Sequence, residues 1–210
     1  MLKYDHFIFD FDGTLSDSYA SFVKAAMTVA EKYGVPADKA QVYYLLKKYS
    51  TVRLFDTLQF GEQRDAAYAE FGKLSKELLA EEAEMISGTV ELLGFIKDNG
   101  GKSYVYSHSG EVVLCNVKRW GIENYFADFM LGDKIYPRKP APDALLALAQ
   151  RNAMDISRSV MIGDRDIDVL AGKNAGMAGI LIDAESFYPD LKVDFKVNSL
   201  HNIIDALTLK

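Results

Sequence analysis

Two aspartates two residues apart, Asp10 and Asp12, follow the apolar run Phe7-Ile8-Phe9 and precede Gly13-Thr14-Leu15. Side chains at i and i+2 on extended backbone point the same way, so both carboxylates can serve one site. Carboxylates crowded at the end of an apolar strand are costly unless a cation or a proton relieves them. Gly13 allows a sharp turn and a close approach of backbone to a ligand. The plain alternative is a strand end with two solvated or capping aspartates, since Asp and Gly are ordinary turn residues. The rest of the chain decides between the two.

Two further apolar runs also end in polar groups. Tyr104-Val105-Tyr106 leads into Ser107-His108-Ser109, and Val160-Met161-Ile162 into Gly163-Asp164-Arg165-Asp166-Ile167-Asp168. Brought together, Asp10, Asp12 and Asp164 offer hard oxygen ligands of the kind that suits Mg²⁺. Asp168 is one helical turn from Asp164 and can face the same spot. An N-cap with favourable acidic charge in a first helical turn would account for that last segment equally well. Arg138-Lys139-Pro140-Ala141-Pro142 is a loop stiffened by two prolines, able to present Lys139 at a fixed position. A lysine there would neutralise clustered carboxylates and pair with a phosphate.

These groups need a scaffold, and the periodicity supplies one. Phe7 to Phe9 reads as a strand buried on both faces, as in a parallel sheet. From Gly88 onward helical and extended segments alternate. Helices are expected over Thr89–Lys97, Glu111–Trp120, Asp143–Asn152 and Asp166–Asn174, and again from about Leu200. Strands are expected over Ser103–Tyr106, Phe126–Leu131, Val160–Ile162, Gly179–Ile182 and Phe195–Val197. Such alternation predicts a parallel sheet with helices on both faces, an α/β fold. Ligands of open sheets of this kind bind beyond the carboxyl ends of the strands, where the polar groups lie.

Residues from about 16 to 85 read as all-helical. A helix capped at Asp17-Ser18 runs through Tyr19, Phe22, Val23, Ala26, Ala30 and Tyr33 to Gly34, and others span Asp38–Tyr49 and Gln63–Glu84. The first strand therefore belongs with the C-terminal half. Residues 1–15 and 86–210 form an α/β core domain, and 16–85 a helical insert between its first and second strands.

The 210 residues are 49% apolar and 26% charged, ordinary for a soluble globular protein. A net charge of −6 argues against nucleic acid or an anionic membrane as the main partner. It leaves room for an anionic small substrate, because a local cation inverts the field in a cleft. The single cysteine, Cys115, excludes an intramolecular disulfide, fits a reducing compartment and reads as a core residue of its helix. Lys3, Asp5 and His6 break any signal-peptide core, and no run reaches transmembrane length, so a cytoplasmic location is expected, as monomer or weak homodimer.

In order and spacing, the four segments resemble the haloacid dehalogenase superfamily of phosphohydrolases. Asp10-Phe11-Asp12-Gly13-Thr14-Leu15 matches its first motif, Ser107 after an apolar strand the second, and Lys139 in Lys-Pro-Ala-Pro the third. Gly163-Asp164 with Asp168 matches the fourth. The insert resembles the helical cap of phosphoglycolate-phosphatase-like members. The resemblance implies a Rossmann-like core with an inserted cap, and a Mg²⁺-dependent phosphatase acting on a small phosphate monoester. It implies Asp10 as nucleophile and Asp12 as general acid and then base. Mg²⁺ would be held by Asp10, the backbone carbonyl of Asp12, and Asp164, with Asp168 steadying Lys139 or the metal's waters. Ser107 and Lys139 would bind phosphoryl oxygens. Asp12 favours phosphate over carbon–halogen chemistry, which needs no acid there.

His108 replaces a frequent asparagine, and Arg165 a small hydroxyl residue; His108 either lies beside the phosphate or is a satisfied loop histidine. Substrate choice falls to the cap, where Tyr43, Tyr44, Lys47, Lys48, Ser50, Thr51 and Arg53 cluster at a helix end. Arg53 is the candidate to reach the substrate when the cap closes. The plain alternative is that the lysines are a solvated face and the tyrosines cap core. Two rivals use the same segments: a sugar phosphomutase of the family, and a non-catalytic phosphate-sensing module, which would have no use for Asp12 or the insert.

Overall fold

The computed structural model describes residues 2–132 and 135–207. The chain divides into two compact units, one made of Met1–Ser16 and Met85–Lys210, the other of Asp17–Glu84. In the first unit six parallel strands form one sheet: β1 (His6–Phe9), β4 (Lys102–Ser107), β5 (Phe126–Leu131), β6 (Ser159–Gly163), β7 (Ala178–Ile182) and β8 (Phe195–Val197). Their order is β5-β4-β1-β6-β7-β8. Two-residue strands β2 (Ser16–Asp17) and β3 (Glu84–Met85) pair where the chain passes between the units.

β1 is central because its residues are apolar on both faces. Phe7 and Phe9 pack with Leu92, Ile96, Val113, Val117 and Ile203 on one face, from α5 (Thr89–Asp98), α6 (Val112–Arg119) and α9 (His201–Leu207). Ile8 points the other way, into Tyr104, Leu145, Leu148, Met161 and Ala171, from α7 (Asp143–Arg151), α8 (Asp166–Asn174) and the flanking strands. This period-two alternation between two helical layers forces a fully buried strand. The register then fixes the site. Phe9 lies opposite Val105 on one side and Ile162 on the other, so the residues that follow all three emerge at the same sheet edge.

The second unit is helical: α1 (Tyr19–Lys32), α2 (Lys39–Lys48), α3 (Thr51–Thr57) and α4 (Arg64–Glu82), with a 3₁₀ turn at Gly61–Gln63. Phe55 sits at the centre of its core, with ring centroids 5.1 Å from Phe60 and Phe71 and 5.3 Å from Tyr68. Caps set its boundaries. Asp38 accepts from the Gln41 N–H to start α2, and Ser50 accepts from the Arg53 N–H to start α3, a helix that periodicity alone does not separate from its neighbours.

Three local expectations need correction. The cap expected at Asp17-Ser18 is not formed by the Ser18 side chain, because Ser18 adopts αR rather than extended backbone (φ −91°, ψ −18°). Cys115 is exposed, since α6 turns Val113, Asn116 and Val117 inward. Lys47 is not solvated: it is buried, with its ammonium 4.8 Å from the centre of the Tyr19 ring.

Candidate active site

The site begins where β1 stops. The Asp10 N–H continues the ladder by donating to the Ile162 carbonyl at 2.8 Å, after which the chain curls. Leu15 and Ser16 both donate to the Phe11 carbonyl, and Gly13, at φ 78°, donates to the Ser16 carbonyl at 2.8 Å. A left-handed residue is needed at that turn, and glycine supplies it without a steric penalty. The curl folds Thr14 back over the sheet edge. Its hydroxyl donates to Asp164 Oδ1 at 3.1 Å, in a fully buried pair.

The Asp12 carboxylate lies near enough to Asp10 for its charge to bear on it. Ligand oxygens of Asp10, Asp164 and Asp168 lie within 4.8 Å of one another, and all three residues are buried. The Asp12 carboxylate is not a member of that cluster. Instead its Oδ2 accepts a 2.5 Å hydrogen bond from Ser109 Oγ.

Asp164 and Asp168 are brought close by the turn from β6 into α8. Gly163 is required there, because a Cβ at that position would lie 2.3 Å from the Asp168 Cβ. Asp168 Oδ2 accepts from the Arg165 N–H at 3.1 Å, which fixes the carboxylate across the start of α8.

Lys139 completes the cluster. Its ammonium donates to Asp10 Oδ1 at 2.7 Å, Asp168 Oδ1 at 2.9 Å and the Tyr106 carbonyl at 2.9 Å. It also lies 4.4 Å from the centre of the Tyr106 ring. The loop that carries it is tied down by Asn174, whose side-chain amide donates to the Pro140 carbonyl at 2.9 Å.

Burial alone would push the Lys139 ammonium down, but the facing Asp10 and Asp168 carboxylates outweigh it and raise its pKa. Burial pushes Asp10 up. Lys139 opposes that shift, while Asp168, Asp164 and Asp12 add to it, and Asp10 ends well above the ordinary carboxylate range. Three carboxylates against one ammonium leave an excess of negative charge when all are ionised. A hard divalent cation fits this donor set: it would relieve the repulsion and restore ionised Asp10.

Ser107 ends β4 and is buried, its Oγ accepting from the Ser109 N–H at 3.0 Å. His108 is half-buried, its ring tilted against Tyr106 with centroids 5.9 Å apart. Arg53 belongs to the helical unit, where its side chain is exposed on α3. Sequence reasoning missed two residues of the core site, Thr14 and Ser109. Both lie inside segments already singled out, but nothing in a sequence reveals which carboxylate a given hydroxyl will meet.

A model of haloacid dehalogenase-like hydrolases matches residues 7–182 and spans every strand that bears a site residue. The chain belongs to the haloacid dehalogenase-like hydrolase family. A phosphoglycolate phosphatase of Agrobacterium fabrum is 26% identical over 181 residues, covering 82% of this chain and 78% of its own length. A fructose-1-phosphate phosphatase of Escherichia coli is 27% identical over 187 residues, covering 85% of this chain and 96% of its own. A haloacid dehalogenase-like hydrolase from Streptococcus pneumoniae shares the fold, with a TM-score of 0.85 at 18% identity over 97% of this chain and 98% of that one. The chain is thus a hydrolase with the family's parallel α/β sheet. Among the described residues, no helix is long and apolar enough to cross a membrane.

Proposed function

We propose that this hydrolase is a Mg²⁺-dependent phosphatase that cleaves a small-molecule phosphate monoester through an aspartyl-phosphate on Asp10. The observation that carries the reading is the buried Lys139 ammonium holding Asp10 and Asp168 together at the carboxyl end of a central strand. A carboxylate so placed is fixed in direction and kept from water, as a nucleophile requires.

In this reading an Asp10 oxygen forms a bond to phosphorus while the bond from phosphorus to the ester oxygen breaks. Asp12 gives its proton to the departing alkoxide. A water then bonds to phosphorus, its proton passes to Asp12, and the phosphorus–Asp10 bond breaks, which returns both aspartates to their starting states. Ser107 and Lys139 hold phosphoryl oxygens. Asp10, Asp164 and the Asp12 backbone carbonyl would hold the metal, with Asp168 orienting Lys139. When bound, Mg²⁺ supplies positive charge that screens the anionic nucleophile from the anionic phosphate.

The named activities of the relatives support a small, anionic or sugar-like ester. Substrate choice is assigned to the helical unit, with Arg53 the first candidate and His108 a second contact beside the phosphate. Phosphate release from a panel of monoesters, including phosphoglycolate and fructose 1-phosphate, tests the reading with and without chelator. Mg²⁺-dependent release is expected. An isomerised sugar phosphate without release would show a phosphomutase instead. A folded, Mg²⁺-binding protein with no turnover of any ester would favour a sensing module.

A further inference from the structure

We propose that Ser109 is a positioning residue for proton transfer by Asp12. The inference rests on the phosphatase reading above, and on Asp12 as its acid and base. Ser109 Oγ donates to Asp12 Oδ2 at 2.5 Å, across a sequence separation of 97 residues. That is a short, direct hydrogen bond between two side chains.

The contact is built by the fold. The Ser109 N–H is held by Ser107 Oγ at 3.0 Å, and the Gly132 N–H bridges the Ser107 and Ser109 carbonyls at 3.1 and 3.3 Å. Ser109 is therefore gripped at both its N–H and its carbonyl. On the other side, the bonds from Gly13, Leu15 and Ser16 fix the backbone on which Asp12 sits. Both partners are held from behind, so the hydroxyl sets the direction of the carboxylate.

A hydroxyl is also the right chemical group for the task. Asp12 must be a carboxylic acid before the leaving group departs and a carboxylate afterwards. An ammonium in that place would hold Asp12 ionised by its charge, whereas a hydroxyl is neutral. The serine hydroxyl donates to Oδ2 in both states, because an acid protonated on Oδ1 still accepts at Oδ2, and Oδ1 is left to face the leaving group. It keeps one geometry through both protonation states. The same segment thus serves two ends, Ser107 at the phosphate and Ser109 at the proton donor.

The test is leaving-group dependence. The ratio kcat/KM reports steps up to departure of the alcohol, where Asp12 acts as acid. It is compared for p-nitrophenyl phosphate, which leaves without a proton, phenyl phosphate, and ethyl phosphate, which needs one. For Ser109→Ala we expect a loss of about tenfold to a hundredfold with ethyl phosphate and less than about threefold with p-nitrophenyl phosphate, since a well-placed general acid is worth about 10²–10⁴-fold. Ser109→Thr, which keeps the hydroxyl, should restore the wild-type dependence. Equal losses for all three esters, or no loss, would overturn the role of Ser109, because a merely structural defect is blind to the leaving group. A wild-type protein that releases phosphate from none of them, with Mg²⁺ present, would instead overturn the phosphatase reading and this inference with it.

Discussion

The Lys139 ammonium, fully buried, sits between Asp10 Oδ1 at 2.7 Å and Asp168 Oδ1 at 2.9 Å. One cation from a proline-stiffened loop thus joins the end of the central strand to the first turn of α8. Removing one partner of a buried pair leaves charge uncompensated, at a cost of about 3–5 kcal/mol. Lys139→Met should accordingly lower the midpoint of urea unfolding in the presence of chelator, and part of the loss should return on adding Mg²⁺. Phosphate release should fall by about 10²–10³-fold, as expected when a fixed charge is taken from the phosphoryl site. Wild-type stability in chelator would show that the pair is not needed to balance the cluster.

Thr14 reaches Asp164 at 3.1 Å through its hydroxyl alone. Partners that orient a metal-binding carboxylate are worth about 10–100-fold in metal affinity. Thr14→Val should raise the Mg²⁺ concentration for half-maximal phosphate release by about that factor, while Thr14→Ser leaves it unchanged. Titration calorimetry with Mg²⁺ alone gives the same comparison without turnover.

A Cβ at Gly163 would lie 2.3 Å from the Asp168 Cβ. Gly163→Ala should therefore cost about 1–3 kcal/mol through overpacking. It should also depress turnover by moving Asp168 off Lys139. Melting temperature and kcat measured on one preparation check both, and a neutral outcome in both would contradict the tight packing at that turn.

Asp128 offers a pH test away from the site. Partial burial would raise its pKa, but hydrogen bonds from Asn152, the Phe129 N–H and Arg151 outweigh this and lower it. A carboxylate whose folded pKa lies below its unfolded value contributes stability above the ordinary range. That contribution is lost as pH falls through the folded value. Asp128→Asn should cost about 1 kcal/mol at neutral pH, and its difference from wild type should shrink below about pH 4. A difference independent of pH would show that Asn152, the Phe129 N–H and Arg151 together do not favour the ionised form of Asp128.

Much of this was legible in the sequence, because the centre of the sheet is written in runs with no polar interruption. Phe7 to Phe9, Tyr104 to Tyr106 and Val160 to Ile162 are each too apolar to lie anywhere but the centre of a sheet, and polar groups follow all three. The site inherits its layout from that register. The side-chain pairings were not legible. Spacing does not say which carboxylates pack together, Asp10 with Asp164 and Asp168, nor that Asp12 meets Ser109. Ser109 and Thr14 act through single hydroxyls, which leave no periodic trace. Cys115 was misplaced because the apolar run Val112-Val113-Leu114 is longer than the buried stripe of α6. The short helix carrying Arg53 depends on a Ser50 cap that is equally readable as a loop serine.

The central claim is that Asp10 carries the phosphoryl group, and the most direct measurement is acid quench followed by mass analysis of the peptide containing Asp10. Asp12→Asn, turning over p-nitrophenyl phosphate with Mg²⁺, should accumulate a single phosphoryl group on that peptide, since it lacks the base that activates water. Asp10→Asn should show none and release no phosphate. A wild-type enzyme that releases phosphate while Asp12→Asn never carries the adduct, or carries it on another residue, would contradict the account.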